Sequence, residues 1–264
     1  MMRWPPLNRK PKVAVVRLAG VISGVGRGAL SDQALAPVLK RAFRRGTFKA
    51  VALQMNSPGG SPVQSALIGA RLRELADQHS MPLFAFVEDV AASGGYWIAC
   101  CADQIYADAN SVIGSIGVIS AGFGAHEFLA RHGFERRVHT AGASKSMLDP
   151  FRPEKAEDVA RLRDLLEQTH QNFITHVQAR RQGKLAADTA LFTGDVWLGR
   201  RAQQLGLIDG LGHLVPTMQE RFGAHVQFRY FGLQRPLWRR LGAAFANDIL
   251  DVAEERASFA RFGL

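Results

Sequence analysis

The chain alternates between short continuous apolar runs and segments whose apolar residues recur every three or four positions. VAVVRL (13–18), KAVALQM (49–55) and PLFAFVED (82–89) have the length and composition of buried strands. Between them, residues 31–45 place Leu35, Val38, Leu39 and Ala42 on one helical face. Residues 61–79 carry Ala66, Leu67, Ala70, Leu72 and Leu75 as the apolar positions of a second helix. QIYADA (104–109) predicts a short strand, and SVIGSIGVIS (111–120) is apolar, β-branched and punctuated by glycine. Strands alternating with helices predict a parallel α/β sheet with crossover helices.

After residue 150 the pattern changes. Residues 154–181 predict one long helix with a polar side, 202–208 a helix ended by a glycine, 226–232 a last strand and 236–259 an amphipathic terminal helix. No internal repeat or low-complexity linker divides the chain. The expectation is one domain over 1–264, with a basic N-terminal stretch (1–11) expected to be flexible and a C-terminal amphipathic helix in 233–264. Packing on a neighbouring subunit is the preferred reading of that helix.

Bulk composition narrows the classes of function. Across 264 residues the hydrophobic content is 47% and the charged content 21%, enough for a real core and unlike a disordered chain. The net charge of +10 is concentrated near both ends and in the cluster Lys40, Arg41, Arg44, Arg45 and Lys49. Such a balance suits an anionic membrane surface or nucleic acid, or serves solubility alone. No basic–aromatic RNA-binding signature or zinc-finger spacing accompanies it, so no nucleic-acid partner is expected. The two cysteines, Cys100 and Cys101, are adjacent and give no disulfide framework. The first twelve residues lack the apolar core of a secretory signal, and the most apolar window, 83–101, is broken by Glu88 and Asp89. A cytoplasmic protein is the expectation, either free or in peripheral contact with the inner membrane.

The candidate chemistry falls at predicted strand ends, where α/β sheets bind ligands. In NSPGGS (56–61), Gly59 and Gly60 permit backbone geometries that turn N–H groups toward a ligand; an ordinary Pro-Gly turn is the alternative. In VAASGGYWIACCAD (90–103), Ser93 is either the N-cap of a buried helix or a nucleophile with a glycine N–H beside it. In IGSIGV (113–118), Ser115 stands in an apolar run and needs a hydrogen-bond partner. Lys145, in AGASKSMLDPF, is an exposed loop lysine or, if taken out of water, a general base. The eight histidines carry no local motif, so a serine nucleophile here would find its base in a Ser–Lys pair.

NSPGGS, ASGGYWIA, GSIGVI, KSMLDPFRPE and FTGDVWLGRRAQQLGLIDGLG occur in this order over about residues 12–230. Together they resemble the S49 peptidases, the group of signal peptide peptidase A, protease IV and SohB. The resemblance implies a ClpP/crotonase-like spiral of ββα units with a helical C-terminal portion, and no cofactor or metal. It implies Ser93 as nucleophile, Lys145 as general base 52 residues later and Ser115 as the serine that hydrogen-bonds the lysine. It also implies an oxyanion hole at Gly60 and Gly94, with Gly59 and Ser57 in substrate binding. The expected substrate is a peptide, such as a signal-peptide remnant or an unfolded, membrane-associated fragment. In single-domain members the serine and lysine of one site come from neighbouring subunits, so a homo-oligomeric ring is expected. The rivals are a crotonase-type acyl-CoA enzyme and a scaffold with a relict site. A Clp-type Ser-His-Asp peptidase needs a histidine soon after the serine, and position 118 is valine.

Overall fold

Each of the three long apolar runs forms a strand, and these lie side by side: β1 (Lys12–Ala19), β2 (Ala50–Ser57) and β3 (Leu83–Ala92). The computed structural model describes residues 10–26, 28–44, 46–142, 145–187, 189–233 and 257–264. The remaining strands are β4 (Gln104–Ala107), β5 (Val112–Gly114), β6 (Val196–Leu198), β7 (Gly210–Leu211) and β8 (Gln227–Phe231). The sheet runs β6-β5-β3-β2-β1-β8, with β4 pairing β3 and β7 off that path. Every pairing is parallel except that of β5 with β6. Parallel strands need crossovers, and α1 (Asp32–Ala42) and α2 (Pro62–His79) supply the first two.

Helix α1 buries the four residues its periodicity selects, Leu35, Val38, Leu39 and Ala42, and the Ser31 hydroxyl caps it by accepting from the Ala34 N–H. Helix α2 is rotated from the expected face. Its buried residues are Ser65, Ile68, Gly69, Leu72 and Ala76, while Leu67 is exposed. The reason is the short helix α3 (Gly94–Ala99), which lies so close that a Cβ on Gly69 would stand 2.7 Å from Cys101 Sγ. Small residues at 65 and 69 allow the approach, Ile68 and Leu72 stay buried beside them, and Leu67 is left outside.

Strand β3 also departs from its predicted end. The run of 82–89 suggested a stop at the two acids, yet the strand continues to Ala92. Met55 pairs with Val87 and Ser57 with Ala91, so two surplus residues of β3 sit in a bulge. Glu88 and Asp89 occupy it and accept hydrogen bonds from the Gln54 and Asn56 side chains at 2.6 and 2.5 Å. Before the bulge β3 pairs with β4, and after it with β5.

The C-terminal half wraps this sheet. The long helix is α5 (Ala156–Arg180), followed by α6 (Gly199–Gln204) and α7 (Leu214–Phe222). His176 of α5 stacks on Trp97 with ring centroids 4.4 Å apart and shares a hydrogen bond with the Trp97 carbonyl at 3.1 Å. Burial holds this imidazole below its ordinary pKa, which keeps it neutral with Nε2–H as the donor. The following turn is anchored by Arg181, whose side chain is only 2% exposed. It donates to the Gly206 carbonyl and pairs with Asp209 at 2.7 Å; Lys184 takes the other carboxylate oxygen. Asp209 also accepts from the Ile105 N–H, so this one carboxylate links α5 to β4. The predicted terminal helix falls largely in 234–256, outside the described residues, as do the first nine; 257–260 form a helical turn. No helix among the described residues is long and apolar enough to cross a membrane.

Burial alone would raise the Asp209 pKa, but hydrogen bonds from Arg181, Lys184 and the Ile105 N–H outweigh it and hold the carboxyl below its ordinary value. A carboxyl with a depressed folded pKa contributes stability above its unfolded pKa, about 3.9, and loses it as pH falls through the folded value. Asp209→Asn leaves Arg181 buried without its counter-charge and is expected to cost about 3 kcal/mol at pH 7. Urea unfolding of both proteins between pH 7 and pH 2.5 checks this: the difference should be constant above about pH 5 and shrink below pH 4.

Candidate active site

The continuation of β3 beyond its bulge delivers Ser93 beside the loop that follows β2. Ser93 has φ 52° and ψ −124°, a conformation that L-residues avoid. Its N–H donates to the Gly114 carbonyl at 2.8 Å, and its carbonyl accepts from the Trp97 N–H at 3.0 Å. It directly precedes α3, but its hydroxyl makes no capping hydrogen bond. Of the two roles open for this serine, that of an ordinary N-cap is thereby removed.

The facing loop is shaped by Ser57, Gly59 and Gly60. Ser57 is fully buried, and its hydroxyl donates to the Gly20 carbonyl at 2.7 Å and accepts from the Gly59 N–H at 3.3 Å. Its side chain therefore holds the loop and is turned away from solvent. Gly59, at φ 107°, lies so near the β3 end that a Cβ would stand 2.8 Å from Ser93 Cβ and 2.9 Å from the Gly94 nitrogen. Gly60, at φ 141°, bridges to Ile22, and a Cβ there would overlap the Ile22 carbonyl. Ile22 takes its bridge bonds from the neighbours of Gly60: its N–H donates to the Gly59 carbonyl and its carbonyl accepts from the Ser61 N–H. The Gly60 N–H is thus left facing the opposite way. Gly94 opens α3, where no preceding turn supplies an acceptor for its N–H, and it packs on Ser65.

Ser115 completes the near side. Its φ is 51°, its N–H donates to the Asp195 carbonyl at 2.7 Å, and its carbonyl accepts from Gly117. Ser93, Ser115, Gly59 and Gly60 line one cavity of about 260 Å³, together with Val118, Ile119, Thr193 and Gly194. Among the described residues no histidine lines it. His170 bonds to the Ile116 carbonyl and His176 to that of Trp97, so neither serves as a base for Ser93.

Lys145 is the one expected catalytic residue that the single chain does not bring to this cavity. It is exposed, and it is not among the cavity-lining residues. It sits on an arm between β5 and α5 that closes on itself: the Ala125 N–H donates to the Pro150 carbonyl and Arg136 pairs with Asp149 at 3.3 Å. Helix α4 (His126–Arg131) within this arm buries none of its residues, and Phe123, Phe128 and Phe134 are exposed by 94%, 60% and 66%. The alternation rules missed one further contributor, the segment 257–264, which supplies Ser258, Arg261 and Phe262 to the cavity wall. Among the described residues no group of three or more His, Cys, Asp or Glu side chains is placed to hold a metal ion.

The sequence model of peptidase family S49 matches residues 76–222. A probable protease SohB of Haemophilus influenzae is 30% identical over 93% of this chain and 68% of its own length. A Brucella melitensis protein named Na(+)/H(+) antiporter NhaA is 46% identical over 96% of this chain, which spans 37% of that protein. Among solved structures, a lysine-to-alanine mutant of the 1510-N membrane-bound stomatin-specific protease, in complex with a substrate peptide, superposes with a TM-score of 0.57 at 15% identity. That superposition covers 93% of this chain and 98% of the other.

Because both Ala and Ser carry a Cβ at φ 52°, Ser93→Ala should change stability by less than about 1 kcal/mol. Ser93→Gly should be about 1 kcal/mol more stable than Ser93→Ala, as glycine releases the backbone strain. Gly59→Ala should cost about 2 kcal/mol by pushing the two loops apart. Urea unfolding followed by circular dichroism ranks the three.

Proposed function

The chain belongs to peptidase family S49, and from that premise we propose that it is a serine endopeptidase working through a Ser–Lys pair. The observation that carries the proposal is the strained, uncapped Ser93 in a cavity floored by Gly59 and Gly60 and sided by Ser115. Ser93 is the nucleophile, Lys145 the base and Ser115 the hydroxyl that orients the lysine. The N–H groups of Gly60 and Gly94 receive the oxyanion. Gly59 provides the backbone on which the substrate lies, and Ser57 acts by fixing that backbone.

Neutral Lys145 accepts the Ser93 proton as Oγ adds to the peptide carbonyl, and the negative charge passes to the carbonyl oxygen facing the two N–H groups. The resulting ammonium gives its proton to the leaving amine as the C–N bond breaks. Water then adds to the acyl ester, Lys145 again taking the proton, and Ser93 leaves with that proton restored. Every step needs the amine within hydrogen-bond reach of Oγ, about 3 Å. It also needs the amine to be neutral, which a lysine in open solvent is not. Lys145 of one chain is exposed and does not line the cavity that holds Ser93. We therefore place it in the cavity of an adjacent copy, docked through the arm's exposed phenylalanines, in a homo-oligomeric ring.

The substrates proposed are signal-peptide remnants and unfolded or membrane-associated fragments. The cytoplasm is the proposed location, with the basic surface touching anionic lipid. Transport, as named for the Brucella relatives, is not carried over: this chain matches 37% of their length, and its described helices include none fit to cross a membrane. A crotonase-type acyl-CoA activity would use the Gly60 and Gly94 N–H groups but needs neither Ser93 nor Lys145. Unchanged thioester turnover in Ser93→Ala would favour it.

The decisive measurement is subunit mixing. Ser93→Ala and Lys145→Ala should each be inactive on peptides, and co-refolding them should restore activity, up to about a quarter per interface if assembly is random. Lys145→Arg should stay inactive, since a guanidinium keeps its proton. Mixed rings seen by native mass spectrometry but without activity would show that the pair does not form between subunits.

A further inference from the structure

The cavity beside Ser93 is walled in part by the chain's own segment 257–264. Phe259 and Phe262 pack on Val90, Ala92 and Val112, a small buried cluster distinct from the main cores. Those three residues end β3 and begin β5, so the apolar floor they make leads directly to Ser93. Arg261 and Phe262 also line the cavity, together with Ser93, Gly60 and Ser115. A peptide whose carbonyl reaches Ser93 would lie in that cavity, against these side chains.

The segment's own backbone decides whether it is there as a substrate or as an obstruction. It is a tight helical turn: the Phe262 N–H donates to the Phe259 carbonyl at 2.9 Å and the Gly263 N–H to the Ala260 carbonyl at 3.1 Å. A helical turn does not present an extended scissile bond to the Gly60 and Gly94 N–H groups. Two aromatic side chains three positions apart on one turn lie on the same face, which matches the way both rings reach the same floor.

We propose that residues 257–264 are a built-in plug of the substrate groove, held by Phe259 and Phe262. The floor of Val90, Ala92 and Val112 is then a subsite for a large apolar side chain of the peptide that displaces the plug. This rests on the peptidase reading above for what enters the groove. A site that is open in only a fraction of molecules binds its ligand more weakly by that fraction. The plug thus selects for peptides apolar enough to compete with two phenylalanines.

The test uses the full chain and a fluorescent peptide with the sequence of residues 257–264, ASFARFGL. Two proteins, both carrying Ser93→Ala so that nothing is cut, are compared by fluorescence anisotropy: one otherwise unchanged, the other with Phe259→Asp and Phe262→Asp. The double variant should bind the peptide about tenfold more tightly, as expected for a site docked about nine-tenths of the time. Phe262→Ala should shift affinity in the same direction by less, and a peptide with both phenylalanines replaced by aspartate should not bind. With Ser93 intact, the double variant should lower KM for an apolar peptide and leave kcat nearly unchanged. Equal affinities for the two proteins, or no saturable binding to either, overturn the plug. Tighter binding to the double variant without any Ser93-dependent hydrolysis upholds the plug and removes the peptidase reading instead.

Discussion

The backbone at Gly59 and the backbone at Ser93 run closer together than any side chain at position 59 would permit, and the site is organised around that approach. Ser93 is fixed from behind by its bond to the Gly114 carbonyl and from ahead by the first turn of α3. Gly59 is fixed by the Ser57 hydroxyl, which accepts from its N–H, and by the Ile22 N–H, which donates to its carbonyl. Neither loop can relax without breaking a buried hydrogen bond, so the unfavourable φ at Ser93 is maintained by its surroundings. The same need for proximity reaches into the scaffold. Helix α2 turns Ser65 and Gly69 toward α3, and α5 presses His176 flat on Trp97 from the other side.

Where burial follows directly from periodicity, the sequence is a sufficient guide. The four inward residues of α1 are the four that a helical repeat selects. The three long strands fall where apolar runs stand. The reading fails where a tertiary contact overrides the repeat. Of the apolar positions expected to face inward on α2, Leu72 is buried but Leu67 is exposed, and Ser65 and Gly69 are buried beside Ile68 where a second helix passes near. Two acids in succession read as the end of β3, because a bulge has no signature of its own in a single sequence.

The candidate site shows the same division. Glycines and small residues around Ser93 mark where backbones meet, and they fall in the fold where their order suggests. What local sequence cannot convey is whether Ser93 caps its helix; only the positive φ and the missing cap bond decide that. Nor can it convey that Lys145 stands on an arm with three outward phenylalanines, away from the cavity. The amphipathic end of the chain reads as a surface for another molecule, whereas its last turn lies against its own β3 and β5. An apolar face states that something will cover it without stating what.

The bulge at Glu88 and Asp89 constrains how this chain can vary in length. Side chains along a strand alternate between faces, so the two surplus residues return β3 to the alternation it had before them. Loss of both would shorten the strand but leave each later residue on its present face. Loss or gain of one would invert Val90, Ala91 and Ala92 together: Ala91 would leave the main core, its neighbours would turn into it, and Ser93 would enter its turn from the wrong side. Length changes in β3 are therefore admissible in pairs, and the two acids act as a spacer whose parity, more than its charge, keeps the serine facing the cavity.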